Sequence, residues 1–128
     1  MDDSGLYIAI FHLAEGKSIQ VGKLGKFDFP AGFYLYVGSA QRNLQARLDR
    51  HARYDKPLRW HIDYLAACAK MLGAVVIAEG KEMECQIARK LSRLLDRPIP
   101  HFGSSDCKCN GHLFYSRIFP GGDLSPNA

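Results

Sequence analysis

The sequence predicts a small α+β domain in which a mostly antiparallel sheet is flanked by about three helices. Aromatic and β-branched runs bounded by glycines fill the first third of the chain and are typical of strands. Segments with apolar residues at helical spacing follow these runs rather than alternating with them, which favours the α+β class. At 128 residues, with no internal repeat or linker, the chain is expected to form one domain over residues 1–128.

Three strands are predicted in the first part of the chain, over residues 5–12, 18–21 and 32–37. Glycines and Pro30 interrupt residues 23–30, so we expect an irregular, extended edge segment there. We expect the three strands to form an antiparallel meander.

The third strand is expected to break at Gly38 and Ser39 and to lead directly into a basic helix. Leu44, Leu48 and His51 have the i, i+4, i+7 spacing of one helix face. A helix that begins beside a glycine turn offers free backbone N–H groups to an anion, so this junction is predicted to bind a phosphate. The substrate-binding candidates are Gly38, Ser39, Arg42, Arg50 and Arg53.

The later elements are predicted from apolar spacing and from breakers. A helix over residues 58–72 is expected to begin near Asp55 and Pro57 and to stop at Gly73. Its buried residues would be Ile62, Leu65, Ala69 and Leu72. The apolar run 74–78 indicates a strand buried on both faces. Further expectations are a helix over 82–95, an edge strand over 113–119 and a flexible tail over 120–128.

Positive charge is concentrated in one segment. Between Arg42 and Arg59 there are six basic and two acidic residues, so this segment alone carries +4, the net charge of the whole chain. Such a segment suits a polyanion such as DNA or RNA, although arginines scattered on a solvated helix face would give the same count. The sequence has no apolar run of membrane-spanning length and no signal peptide pattern. We therefore expect a cytoplasmic protein with reduced cysteines and no membrane partner.

Two short motifs lie in the first and third predicted strands. They are Gly5-Leu6-Tyr7 and Tyr36-Val37-Gly38, and their tyrosines can lie close together if these two strands pair. The two motifs resemble the signature of the GIY-YIG nuclease superfamily.

Two later features extend this resemblance to residues 5–95. The segment from Asn43 to Leu48 is similar to the helix on which the family carries an arginine, here Arg47. The segment from Glu84 to Leu91 is similar to the helix on which the family carries a metal-binding glutamate.

The resemblance implies roles for four residues, and helical spacing adds a fifth. Tyr7 would act as general base, and Tyr36 would position the attacking water or the phosphate. Arg47 would clamp the phosphate. His51 lies one turn after Arg47 on the same helix face, so it would share proton transfer or touch the phosphate, the alternative being an ordinary surface histidine. Glu84 would hold one divalent cation, Mg²⁺ or Mn²⁺. These roles meet the needs of phosphodiester hydrolysis, which are a deprotonated water and relief of charge on the phosphoryl group.

Ordinary structural explanations exist for the same residues. Tyr7 and Tyr36 could be half-buried strand aromatics, and Glu84 could be a glutamate favoured by the helix dipole. The chain also departs from the family pattern, because 28 residues, 8–35, separate motifs that the family commonly joins by a short hairpin. The family's late asparagine has only Asn110 as a weak counterpart.

A cluster of soft and borderline ligands lies in the region 101–119. Its members are His101, Cys107, Cys109 and His112, which are enough for a tetrahedral structural zinc. Plain loop thiols and a role in substrate binding are the alternatives. Residues 59–65 and 101–107 also resemble an uncharacterised branch of the superfamily with a similar C-terminal Cys/His loop. Relatives of that branch are sometimes joined to a DNA-repair glycosylase domain, which favours DNA over RNA.

Two functions of different classes follow from these patterns. The first is a metal-dependent endonuclease that hydrolyses phosphodiester bonds in DNA, or in RNA, during repair or recombination. The second is a non-catalytic nucleic-acid-binding module with a structural zinc loop, and a weaker third is a thiol- or metal-handling protein. The nuclease hypothesis requires Tyr7, Tyr36, Arg47 and Glu84 to converge on one basic surface.

Overall fold

The structure is a computed structural model that describes residues 5–40, 42–53, 58, 60–77, 84–91, 95 and 112–118. It confirms the α+β prediction. The strands are β1 Gly5–Leu13, β2 Lys17–Val21, β3 Gly25–Phe29, β4 Gly32–Ala40, β5 Lys70–Ile77 and β6 Leu113–Ser116. The helices are α1 Leu44–Ala52, α2 His61–Ala66 and α3 Glu84–Leu91. In the part of the chain that is described, no helix is both long and apolar enough to cross a membrane.

The strands form two antiparallel sheets, and this corrects the predicted meander. The larger sheet has the order β5-β1-β4-β6, and β2 and β3 form a separate two-stranded sheet. β1 pairs directly with β4 from Gly5↔Ala40 to Leu13↔Gly32. The segment expected to be irregular contains β3, which pairs with β2 over five rungs from Lys17↔Phe29 to Val21↔Gly25. The hairpin therefore interrupts the sequence between β1 and β4 without entering their ladder.

The larger sheet has a different core on each face. Tyr7, Phe11 and Tyr36 lie on one face with apolar residues of the β2–β3 hairpin and α2. Ile8 and Leu35 lie on the other face, where Ala88 and Leu91 of α3 pack against them. The alternation of side chains along a strand produces this division, since consecutive residues point to opposite faces.

β5 corrects two predictions made for the middle of the chain. The helix expected over 58–72 is observed as the shorter α2, and Leu72 belongs to β5 and is 45% exposed. The strand expected to be buried on both faces lies at the edge of the sheet, where Val75 and Val76 are 44% and 51% exposed. A short apolar run does not indicate whether its strand lies in the centre or at the edge of a sheet. The hydrophobicity of residues 74–78 therefore does not establish burial on both faces.

The remaining predictions are confirmed in part or lie outside the described residues. Ile62, Leu65 and Ala69 are buried as expected. α3 occupies the central part of the predicted helix 82–95, and β6 lies at the sheet edge as expected for 113–119. Residues 54–57, with the expected helix start, and the tail 120–128 lie outside the described residues.

Tyr34 should make the stability of this fold sensitive to alkaline pH. Burial, reinforced by neighbouring Tyr115, raises the pKa of the fully buried Tyr34 phenol above its usual value. The unfolded phenol ionises above about pH 10 while the folded one keeps its proton, so the stabilisation is present below that pH and is lost above it. Relative to Tyr34→Phe, the wild type should lose about 1.4 kcal/mol of unfolding free energy by pH 11.

The measurement is urea unfolding of both proteins at pH 9 and pH 11. At pH 9 the wild type should be the more stable by about 1 kcal/mol, because the Tyr34 hydroxyl donates a hydrogen bond to the Pro30 carbonyl at 2.6 Å. The same margin at both pH values would show that Tyr34 ionises as readily in the folded protein as in the unfolded chain.

Candidate active site

Gly38 lies inside β4, and its lack of a side chain makes room for Tyr7. The two residues are opposite each other in the β1–β4 register. A Cβ atom built on Gly38 would lie 2.5 Å from both Cζ and Oη of Tyr7, a distance that non-bonded heavy atoms cannot adopt. The glycine therefore allows the phenol ring to lie across the neighbouring strand.

This arrangement corrects the predicted glycine turn. β4 continues through Gly38 to Ala40, and α1 begins at Leu44 after Asn43, which has a left-handed backbone with φ 58°. Gly38 and Ser39 belong to the strand and not to the helix N-terminus. Binding of substrate by Gly38 and Ser39 stays a prediction.

His51 joins α1 to the two tyrosines of the sheet. Its Nε2 atom lies 2.8 Å from the Tyr7 hydroxyl oxygen, which is a hydrogen-bond distance. Its ring also forms a T-shaped contact with the ring of Tyr36, with centroids 6.0 Å apart. Tyr7 and His51 are 2% and 1% exposed, and Tyr36 is 9% exposed. The 28-residue separation therefore does not prevent the tyrosines from meeting at one histidine.

Arg47 lies one turn before His51 on α1 and is partly buried. One of its guanidinium nitrogens, Nη1, donates a hydrogen bond to the carbonyl oxygen of Ser39. Its Cζ atom also lies 5.0 Å from the centre of the Trp60 indole. Arg42 and Arg53, at the two ends of α1, are exposed to solvent.

Asp63 connects α1 to the start of α2 and is fully buried. It accepts a hydrogen bond from Nη1 of Arg50 at 2.7 Å and another from the backbone N–H of Trp60 at 2.8 Å. The second contact caps α2, since Trp60 is the N-cap residue and Asp63 is at N3. Burial lowers the pKa of the adjacent His61 imidazole, which favours its neutral form beside the positive end of the helix dipole.

Replacing Asp63 by alanine should reduce the unfolding free energy by about 2–4 kcal/mol. The substitution removes both the cap of α2 and the buried carboxylate that pairs with Arg50. Urea denaturation would measure the change. Asp49→Ala is a matched control, because Asp49 accepts its hydrogen bond from Gln45 at an exposed position of α1 and should contribute less than about 0.5 kcal/mol. Equal losses in the two variants would contradict a structural role for Asp63.

The structure brings four of the five predicted catalytic residues, Tyr7, Tyr36, Arg47 and His51, to one side of the sheet. Glu84 is the first residue of α3, which packs against the opposite face, and its side chain lies outside the described part of the structure. Its convergence with the other four therefore stays a prediction.

The predicted zinc ligands are mostly outside the described ranges. His101, Cys107, Cys109 and the candidate Asn110 are not among the described residues. His112 is described and is 2% exposed just before β6, where its backbone carbonyl accepts a hydrogen bond from Val37 N–H at 2.9 Å. Within the described ranges, no group of three or more His, Cys, Asp or Glu side chains could hold a metal ion.

The sequence-based prediction missed Trp60, which touches three residues of α1. Its indole lies near Arg47, Arg50 and His51. The contact between Trp60 and α1 depends on tertiary packing, which the local sequence pattern does not display.

A model of a protein family described as a domain of unknown function, DUF123, matches residues 6–120. The match includes both sheets and every predicted catalytic residue from Tyr7 to Glu84. No curated protein matches the chain, and no solved structure matches it.

Proposed function

The chain belongs to the DUF123 family, and we propose that it is a metal-dependent endonuclease of the GIY-YIG type that hydrolyses phosphodiester bonds in DNA. The observation that carries this proposal is the 2.8 Å contact between the Tyr7 hydroxyl and His51 Nε2, beside Tyr36. A histidine that can take the proton of a tyrosine gives this site a general base, which hydrolysis requires.

The proton path begins with Tyr7. A tyrosine of ordinary pKa, near 10, is almost fully protonated at neutral pH and is a weak base in that form. His51 Nε2 can accept the phenolic proton when the imidazole carries its own proton on Nδ1. The resulting phenolate would take a proton from the attacking water. The water oxygen then forms the new bond to phosphorus, and the P–O ester bond breaks. The leaving oxygen takes a proton from solvent, and His51 releases its extra proton to solvent.

The charge of the phosphate would be met by α1. Arg47 lies one turn before His51 on this helix, and its guanidinium is held between the Ser39 carbonyl and Trp60. A planar guanidinium can form two hydrogen bonds to phosphate oxygens. The exposed Arg42 and Arg53 would contact neighbouring phosphates of the same strand.

Glu84 would hold a Mg²⁺ or Mn²⁺ ion. A single carboxylate suits these hard cations, which keep several water ligands and take others from substrate phosphates. Such an ion would relieve charge on the phosphoryl oxygens and on the leaving oxygen. The proposed substrate is DNA rather than RNA. The proposed process is DNA repair or recombination, and the proposed compartment is the cytoplasm.

The burial of the tyrosines and His51 favours a second candidate, a non-catalytic nucleic-acid-binding module. Tyr7, Tyr36 and His51 are each at most 9% exposed, as side chains of a structural core are. In that case the Tyr7–His51 hydrogen bond would anchor α1 to the sheet, and the arginines of α1 would supply the binding.

Cleavage of nicked, flapped, branched and linear DNA in the presence of Mg²⁺ tests the choice between these functions. Glu84→Ala should abolish Mg²⁺-dependent cleavage and leave DNA affinity within about threefold, because the carboxylate holds the ion and not the DNA backbone. Binding without cleavage of any of these substrates by the wild type would favour the non-catalytic module.

A further inference from the structure

Trp60 lies at the centre of the contacts between α1 and α2. The Cζ atoms of Arg47 and Arg50 lie 5.0 and 4.5 Å from the centre of its indole, within the range of a cation–π interaction. Its ring also meets the ring of His51 edge to face, with centroids 6.0 Å apart. The Trp60 side chain thus contacts Arg47, Arg50 and His51, which lie on one side of α1.

Hydrogen bonds between its backbone and Asp63 hold Trp60 in place. Its backbone N–H donates to the Asp63 carboxylate at 2.8 Å, and its carbonyl accepts from the Asp63 N–H at 3.0 Å. The same carboxylate pairs with Arg50 at 2.7 Å. The indole is therefore attached to a capped helix start and to α1 at the same time, which restricts its orientation.

This arrangement restricts the two side chains that the proposed hydrolysis needs most. A free arginine side chain carries about 2 kcal/mol of rotamer entropy, which is lost when it binds a phosphate. Arg47 has already lost much of that freedom, since it is held between the Ser39 carbonyl and the indole. The His51 ring is likewise held between Tyr7 and Trp60.

We propose that Trp60 is a positioning residue that holds Arg47 and His51 in the orientation that a scissile phosphate requires, with Asp63 fixing Trp60. The expected effect on cleavage rests on the proposed nuclease function, and the expected effect on the salt slope rests on DNA binding alone. Trp60 need not touch the phosphate, because it acts through the two α1 side chains.

Trp60→Leu should separate positioning from simple packing. Leucine preserves an apolar side chain but cannot stack with a guanidinium, so kcat/KM for DNA cleavage should fall about 5- to 30-fold. The slope of log Kd against log salt concentration should decrease by about 0.9, the contribution of one phosphate contact. Trp60→Phe retains an aromatic face. Its kcat/KM should therefore lie within about threefold of the wild-type value, and its salt slope within about 0.3 of the wild-type slope.

Tyr64→Leu is the matched control. Tyr64 is also a partly buried aromatic residue, and its ring lies beside Gly22, directly after β2. It should lower the unfolding temperature without changing the salt slope. The inference is overturned if Trp60→Leu and Tyr64→Leu have the same salt slope and the same kcat/KM at a temperature where both are folded.

The intrinsic fluorescence of Trp60 gives a second measurement that needs no variant of Trp60. Trp60 is the single tryptophan of the chain, so all indole emission comes from this site. A 20-base-pair duplex that places a phosphate on Arg47 brings negative charge beside the indole and should shift its emission, and Arg47→Gln should remove the shift. Saturation with duplex without any shift in the wild type would overturn the inference even if Trp60→Leu fails to fold.

The outcomes also separate this inference from the nuclease proposal. A wild type that binds duplex but never cuts rejects the nuclease, while a lower salt slope in Trp60→Leu would still support positioning of Arg47. A wild type that cuts, with an unchanged slope and rate in Trp60→Leu, rejects the positioning role and leaves the nuclease proposal standing. A wild type that neither binds nor cuts DNA overturns both.

Discussion

Tyr7→Phe should lower the rate of Mg²⁺-dependent DNA cleavage by about 10²–10⁴-fold, the usual contribution of a general base. The substitution removes only the hydroxyl that lies 2.8 Å from His51 Nε2. The phenyl ring still fits over Gly38, so the sheet should keep its packing. Because the arginines of α1 are unchanged, the affinity for DNA should stay within about threefold. Single-turnover cleavage and a binding titration of the same substrate would measure the two effects separately.

Tyr34→Phe is the matched control for this experiment. Tyr34 is a buried tyrosine on the same face of the sheet, and its hydroxyl donates to the Pro30 carbonyl rather than to a residue of the site. It should lose about 1 kcal/mol of stability but no cleavage activity. If Tyr7→Phe cleaves as fast as Tyr34→Phe, Tyr7 is not the general base and the Tyr7–His51 contact is structural.

Gly38→Ala should have a comparable effect on cleavage even though it adds only a methyl group. The new Cβ would lie 2.5 Å from Cζ and Oη of Tyr7, so the ring must move. A displacement of about 1 Å at a catalytic group can cost about 10²-fold in rate, and the forced repacking should cost about 1–3 kcal/mol of stability. Urea unfolding and single-turnover cleavage would provide both values.

Gly73→Ala provides the control for adding a methyl group to a strand glycine. Gly73 lies in β5 of the same sheet, and within the described residues a Cβ there would have no heavy atom within 4 Å apart from those of its chain neighbours. The substitution should leave cleavage unchanged and stabilise the protein by about 0.4–1 kcal/mol, since it reduces the entropy of the unfolded chain. Equal destabilisation by both substitutions would mean that the contact with Tyr7 is not what requires glycine at position 38.

Local patterns predicted much of this molecule. The strand character of β1 and β4 follows from their aromatic and β-branched composition, and the buried face of α1 with Leu44 and His51 follows from helical spacing. The two tyrosine motifs predicted that Tyr7 and Tyr36 would lie close together, and in the structure both rings meet His51.

The errors arose where a local signal has two physical causes. Glycine at position 38 predicts a turn because glycine relieves backbone strain, whereas here it makes room for a ring from another strand. The apolar run in β5 predicts a strand buried on both faces, whereas the strand lies at a sheet edge. Trp60 was missed because its partners belong to α1, and a contact between two helices has no signature in either segment alone.

The β2–β3 hairpin forms a sheet of its own, so the 28 residues between the tyrosine motifs do not interrupt the pairing of β1 with β4. β1 and β4 share a continuous nine-residue ladder, and the hairpin has its own ladder outside it. Lengthening the turn between β2 and β3 keeps the apolar side chains of the hairpin in the core and would therefore mainly alter the entropy of closing the loop, which grows with the logarithm of its length and costs only about 0.6 kcal/mol for each doubling. A shift of the β1–β4 register by one residue would instead turn Tyr7 towards α3. Insertions in the turn between β2 and β3 should therefore cost little free energy of folding. A shift of one residue in the β1–β4 pairing would instead move Tyr7 away from His51.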